Sequence, residues 1–306
     1  MKLIQGLKWV VGAVLGLAVV AGIGFWVRPL WFLNHATYLH EGRTGAESRS
    51  VQVGPYRVHY LAEGKAEGPT VVLVHGLGGS AEEWSNEAPY LVNAGFRVYM
   101  LDLPGYGRSQ KPADFSYSVR DEASVVAGFI DAAGLKQVDL GGSSMGGWIV
   151  QLVAEKHPRK VRRLMLFDSA GLAEPPDWNT NLFTPRTAGE LDQLEALLMP
   201  HPPTLPGFVA RDVVRESNQR AWIIRRALAT MLSGQDTTDS VLPGLKMPVL
   251  IVWGAEDRIM PLRLGETMHS MVPQSEFEVI QGCGHLAQMQ CAGQVGPKVV
   301  EFLTRP

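Results

Sequence analysis

The chain has 306 residues, with 28 Lys and Arg against 30 Asp and Glu, a formal net charge of −2, and 46% hydrophobic and 19% charged residues. That composition supports a large buried core and excludes disordered, collagen-like and coiled-coil chains. The near-neutral balance, without a Lys/Arg-rich run, leaves no electrostatic footprint for nucleic acid, and two cysteines, Cys283 and Cys291, exclude a disulfide scaffold and a cysteine-based zinc site.

From Trp9 to Val27 there is no charge and no proline, with Lys2 and Lys8 before the run and Arg28 after it. As a helix this run is about 28 Å long, enough for the hydrocarbon core of a bilayer. Trp9 at one end and Trp26, Trp31 and Phe32 at the other suit the two interfaces. A cleaved signal peptide is the competing reading, because Val19-Val20-Ala21 resembles a small-residue cleavage site. The run outlasts a usual signal core, which favours a retained single-pass anchor with its helix at about residues 8–28. Lys2, Lys8 and the amino terminus are opposed by Arg28, Arg43 and Arg49, and the balance leans toward an external, periplasmic main domain.

A polar linker is expected near residues 40–49, so residues 1–49 read as anchor and linker. Val51 to Val53 and Tyr56 to Leu61, joined by Gly54-Pro55, then read as a β-hairpin. Short apolar or β-branched runs follow at Val71 to Val74, Arg97 to Leu101, Val138 to Leu140, Arg163 to Phe167, Val249 to Trp253 and Phe277 to Ile280. Helical patterns separate most of them; one, Ser118 to Ala133, opens on a Ser118-x-x-Asp121 cap and stops before Gly134. Continuous apolar strands spaced by helices predict an α/β fold with a mostly parallel central sheet covered by helices on both faces.

Between Phe167 and Val249 the alternation stops. Thr187-x-x-Glu190 caps one helix, Leu191 to Met199, and Pro206 to Leu232 holds one or two more. A helical insertion after a sheet strand falls over the strands' carboxyl ends, where open α/β sheets bind ligands. The chain therefore divides into residues 50–172 and 241–306 as a core and 173–240 as a helical lid.

Gly142-Ser143-Ser144-Met145-Gly146 matches Gly-x-Ser-x-Gly between a strand, Val138 to Leu140, and a helix, Gly147 to His157. This is the strand, turn and helix context of a nucleophile elbow, with Ser144 at its centre and Ser143 supporting the turn. A serine needs a base, and Gly282-Cys283-Gly284-His285 follows the last strand on a glycine-rich loop. The base needs an acid: Asp257 lies in Gly254-Ala255-Glu256-Asp257 after one strand, and Asp168, after Leu166-Phe167, is its rival. His75-Gly76-Leu77-Gly78-Gly79 ends another strand and offers a backbone N–H to an oxyanion; it lacks the spacing of a phosphate loop. Cys283, without an adjacent cation, reads as a neutral thiol. Trp178, Met199, Trp222 and Met231 read first as packing, and Arg220, Arg225 and Arg226 as a solvated helix face.

Together with Asp102-Leu-Pro-Gly-Tyr-Gly-Arg-Ser109 and Trp253-Gly-Ala-Glu-Asp257, these motifs resemble the α/β-hydrolase superfamily over about residues 51–306. Gly142-Ser-Ser-Met-Gly-Gly147, Asp168-Ser-Ala-Gly-Leu172, the Pro-Arg-Thr at the start of the lid and the N-terminal apolar helix more closely resemble its membrane-anchored monoacylglycerol-lipase-like members and related bacterial lipases. The resemblance implies Ser144 as nucleophile, Asp257 as acid, His285 as base, and the N–H groups of Leu77 and Met145 as oxyanion hole, with no metal or cofactor. One departure is that His285-Leu-Ala-Gln-Met-Gln290 ends in glutamine where many members carry an acidic residue. The expectation is a membrane-anchored serine carboxylester hydrolase for lipid-like esters such as monoacylglycerols. The alternatives are a C–C bond hydrolase or perhydrolase with the same triad, and a non-catalytic binding protein on the same fold.

Overall fold

The computed structural model of the chain describes residues 21–305. The expected anchor at about residues 8–28 lies largely outside them. Its described end, residues 21–27, is helical, and among the described residues no helix is long and apolar enough to cross a membrane.

One eight-stranded sheet forms the centre: β1 (Glu47–Val53), β2 (Tyr56–Glu63), β3 (Thr70–Val74), β4 (Arg97–Leu101), β5 (Val138–Ser143), β6 (Val161–Phe167), β7 (Val249–Gly254) and β8 (Glu276–Ile280). The order is β1-β2-β4-β3-β5-β6-β7-β8; β2 pairs antiparallel with β1 and β4, and every other pair is parallel. Both β5 and β7 are buried along their whole length, which is why their runs show no polar alternation. Helices α3 (Val119–Ala132), α4 (Met145–Lys156) and α7 (Leu262–Met271) cover one face through Val126, Ile149 and Met268. Helices α2 (Ala88–Asn93) and α9 (Ala292–Thr304) cover the other, through Leu91, Val295 and Phe302 around Trp84. The Ser118 side chain accepts from the Asp121 N–H at 3.1 Å and so caps α3.

The expected linker at residues 40–49 is not one. Helix α1 spans Pro29–Thr44, and β1 begins at Glu47, in register with Ala62. Glu47 accepts from the Arg97 guanidinium at 3.0 Å, which extends the hairpin past the apolar positions Val51 and Val53.

Between β6 and β7 the insertion carries α5 (Ala188–Leu198) and α6 (Gly207–Met231). Thr187 caps α5 by accepting from the Glu190 N–H at 3.1 Å. The Leu198 carbonyl at the end of α5 accepts the His285 N–H at 2.9 Å, which ties the insertion to the loop after β8. The start of α6 grips the N-terminal segment: Trp26 stacks on Phe208 with centroids 4.6 Å apart, and Arg28 donates to Glu216 at 2.6 Å.

Candidate active site

Ser144 sits between β5 and α4 at φ +53° and ψ −118°, a conformation that side chains rarely adopt and that the surrounding structure must enforce. Its N–H donates to the Phe167 carbonyl at 2.9 Å, and its own carbonyl accepts from Ala170 at 3.0 Å. The glycines are steric requirements: a Cβ on Gly142 would lie 2.3 Å from the Gly146 carbonyl oxygen, and one on Gly146 would lie 2.3 Å from that of Val74.

The structure brings Ser144, His285 and Asp257 together. His285 Nε2 lies 2.9 Å from Ser144 Oγ, and its Nδ1 lies 2.7 Å from Asp257 Oδ2. The other carboxylate oxygen of Asp257 accepts the N–H groups of Ile259 at 2.7 Å and Met260 at 2.8 Å, which aims the acid at the imidazole. Burial disfavours the imidazolium, but the Asp257 carboxylate beside it outweighs that cost and raises the His285 pKa. An imidazole between a hydroxyl and a fixed carboxylate can take the hydroxyl's proton and hold the charge that results.

The rival acid, Asp168, makes no direct pair with His285. It accepts from Gly254 N–H at 2.7 Å and Ala287 N–H at 3.3 Å, so it joins the end of β7 to α8 (Ala287–Gln290). Burial, with Asp257 nearby, pushes its carboxyl well above the usual range.

The Gly76–Gly79 turn lies against Ser144: a Cβ on Gly76 would meet Ser144 Cβ at 3.2 Å. Leu77 follows Gly76 in that turn, and Met145 opens α4, where first-turn N–H groups have no partner within the helix. His75 supports the turn, with Nδ1 2.7 Å from the Gly76 carbonyl oxygen and Nε2 3.1 Å from the Leu103 N–H.

Two lobes meet at Ser144. One, of about 240 Å³, is lined by Trp148, Trp178, Phe183, Met231 and Met268. The other, of about 550 Å³, is lined by Gly76 to Ser80, Tyr106, Arg220 and His285. Trp178 and Met231, first read as packing, thus border the cavity. Arg220 borders it too, while remaining exposed as its reading on a solvated face expected. Arg226 is exposed as well, and there it donates to the Ala113 carbonyl at 2.6 Å and lies over Trp222 at 5.4 Å.

Cys283 is not a thiol. It forms a disulfide with Cys291, their Cα atoms 6.4 Å apart, and the bridge encloses the segment that carries His285. The sequence reading passed over Glu83 and Gln288 beneath this site. Gln288 donates to Glu83 at 2.8 Å and to Ser143 Oγ at 3.0 Å. Nothing in Ser80-Ala-Glu-Glu-Trp84 separates Glu83 from its neighbour Glu82, whose partner is the Arg108 guanidinium at 2.7 Å.

With this geometry in place, the comparisons decide the family. The sequence model described as alpha/beta hydrolase fold matches residues 69–187 and 206–291. The chain belongs to that family. It is 29% identical over 268 residues to a 2-hydroxy-6-oxononadienedioate/2-hydroxy-6-oxononatrienedioate hydrolase of Paraburkholderia phymatum, covering 81% of this chain and 91% of the relative. It is 29% identical over 273 residues to a 2-hydroxymuconate semialdehyde hydrolase of Pseudomonas putida, covering 83% and 93%. Among solved structures it resembles a membrane phospholipase A, described as a bacterial virulence factor, at 29% identity and a TM-score of 0.83 over 97% of each chain. These findings support hydrolase activity and a lipase-like resemblance. They overturn the expected carboxylester main reading, because the curated relatives are named for hydrolysis of compounds whose names denote a ketone or aldehyde with hydroxyl and acid groups but no ester.

Proposed function

We propose that this chain is a serine-dependent C–C bond hydrolase that cleaves a 2-hydroxy-6-oxo-dienoate type of substrate beside its ketone. The observation that carries the proposal is the hydroxyl, imidazole and carboxylate chain of Ser144, His285 and Asp257 at the junction of two largely apolar lobes, one of them bordered by the Arg220 guanidinium. A substrate with an acyl group at one end and a carboxylate at the other suits that division: the acyl end lies among Trp178, Phe183 and Met231, and the carboxylate faces Arg220.

The chemistry sets the order of events. A carbon–carbon bond breaks heterolytically only when the departing carbon can hold the electron pair. The dienol therefore first tautomerises, losing its 2-hydroxyl proton and gaining one on the carbon next to the ketone, and becomes a diketone. Ser144 Oγ then adds to the ketone carbon as His285 takes its proton, and the oxyanion faces the N–H groups of Leu77 and Met145. Collapse of this adduct breaks the bond, and the electron pair passes into the conjugated 2-oxo group as a dienolate, which takes the proton from His285. Water, deprotonated by His285, releases the acyl group from Ser144. The sum is addition of one water and formation of one carboxylic acid and one hydroxydienoate.

The test is spectroscopic: loss of the dienolate absorbance of a 2-hydroxy-6-oxononadienedioate with parent protein and with Ser144→Ala, alongside p-nitrophenyl esters and phospholipids. Turnover of the dienoate by the parent and none by S144A is expected. Esters turned over with the dienoate untouched would overturn the proposal.

We also infer that the N-terminal segment is a retained membrane anchor and that residues 173–240 act as a lid over the cavity. The apolar run from Trp9 supports the anchor, as do the exposed side chains of Ile23, Phe25, Trp26 and Trp31 at its described end. The full chain then pellets with membranes and needs detergent for release; recovery in the soluble fraction contradicts the anchor.

A further inference from the structure

Three segments must keep register for the proposed chemistry: the Gly76–Gly79 turn, the Ser143–Ser144 elbow and the His285 loop. They come from positions far apart in the chain, and one enclosed carboxyl meets all of them. Glu83, on the short helix Ala81–Trp84, accepts the Gly76 N–H at 3.2 Å through Oε2. Its Oε1 accepts the Gln288 amide at 2.8 Å, on the helix that begins two residues after His285. The same Gln288 amide donates to Ser143 Oγ at 3.0 Å, next to the nucleophile. The turn is shaped around the carboxyl: a Cβ on Gly79 would lie 2.3 Å from Glu83 Oε2, and Gly79 N–H closes the turn on the Gly76 carbonyl at 3.1 Å.

We propose that Glu83 is a positioning residue that, with Gln288, fixes the oxyanion turn against the nucleophile elbow and the base loop. It touches none of the reacting atoms and acts through the Gly76–Leu77 backbone and through Ser143. The carboxyl stays in place because both of its oxygens have a donor, and an enclosed polar group is costly to leave unpaired. Burial raises its pKa, opposed by His75 and by the Gly76 hydrogen bond. Loss of the carboxyl lets the turn relax, and a displaced N–H donor costs rate in the transition state more than it costs substrate binding.

This inference rests on the reading of Ser144, His285 and Asp257 given above. The experiment compares kcat, KM and the rate of labelling by a fluorophosphonate in full-length parent, Glu83→Ala, Glu83→Gln, Gln288→Ala and Ser144→Ala. Removing one oxyanion donor costs about 100-fold to 1000-fold in kcat, so E83A is expected to fall by about 100-fold with KM changed by less than about threefold. Glu83→Gln, which keeps an acceptor for Gly76, is expected to recover about tenfold of that loss, and Q288A to fall by about tenfold, with labelling slowed in parallel. Parent-like kcat in E83A, equal impairment of E83Q and E83A, or a loss confined to KM overturns the inference. Should E83A lose its cooperative melt, Q288A decides, and parent-like kcat there overturns it. A turning-over or labelled S144A would instead bring down the underlying reading, so the two failures are distinguishable.

Discussion

Asp257 is the group that keeps His285 basic inside a buried site. Burial alone would drive the imidazole toward its neutral form, and the carboxylate at 2.7 Å reverses that direction. With His285 as the proposed base, the free enzyme needs it neutral, so activity is expected to rise with pH through a midpoint held above the ordinary histidine value. Asp257→Asn removes the carboxylate: the acid limb of kcat/KM is expected to move to lower pH while kcat falls by about 10⁴-fold, since the favoured tautomer is lost. A pH–rate profile of the variant checks both. Arg220 belongs to the same scale. Hydrogen bonds to charged groups contribute about 1.5–3 kcal/mol, so Arg220→Gln is expected to raise KM for a dienoate carboxylate by about tenfold to 100-fold. A substrate amidated at that end should not respond, and steady-state kinetics with the two compounds makes the comparison.

At the scale of elements, α2 begins against a buried carboxyl. Neither oxygen of Glu87 has a hydrogen-bond partner among the described residues, and burial pushes its pKa up to about 8. A carboxyl raised in the folded state stabilises fully below its unfolded value and loses that contribution as pH rises toward the folded value. The parent is therefore expected to lose melting temperature between about pH 5 and pH 8, and Glu87→Gln to flatten that decline. Calorimetry of the two proteins across this range is the measurement. How far such elements can be read from sequence depends on what holds them. The β5, Ser144 and α4 unit was legible because buried runs and clashing Cβ positions leave glycine at fixed offsets, and Ser118 and Thr187 were legible because capping is local. The extension of β1 was not: Ser48, Arg49 and Ser50 show no apolar alternation, and their pairing is set by β2 across the hairpin. Glu83 escaped for a similar reason, since its partner Gln288 lies 205 positions away and only folding brings the two together. Arg220 is a surface charge as its spacing implied, but helical spacing says which face it shares and not that this face overlooks the cavity.

For the whole molecule, the sheet places Ser144, Asp257 and His285 just after β5, β7 and β8, with β6 between the first two strands, and leaves the last residue on a loop that no further strand flanks. Asp168 braces that loop through Ala287, Leu198 holds it through the His285 N–H, and the Cys283–Cys291 bridge closes it across a separation of eight positions. Chemical reduction should therefore act on turnover before it acts on the global fold. With dithiothreitol, kcat is expected to fall while the far-ultraviolet dichroism stays constant, and a double Cys→Ser variant should match the reduced protein. An unchanged kcat would show that the other two ties suffice. The bridge has a consequence for how the protein is made: thiols stay apart in a reducing cytosol and join in oxidising surroundings. Chains folded in the first setting would carry the histidine on a loop held by two ties and not three, and exposure to an oxidant afterwards would add the third.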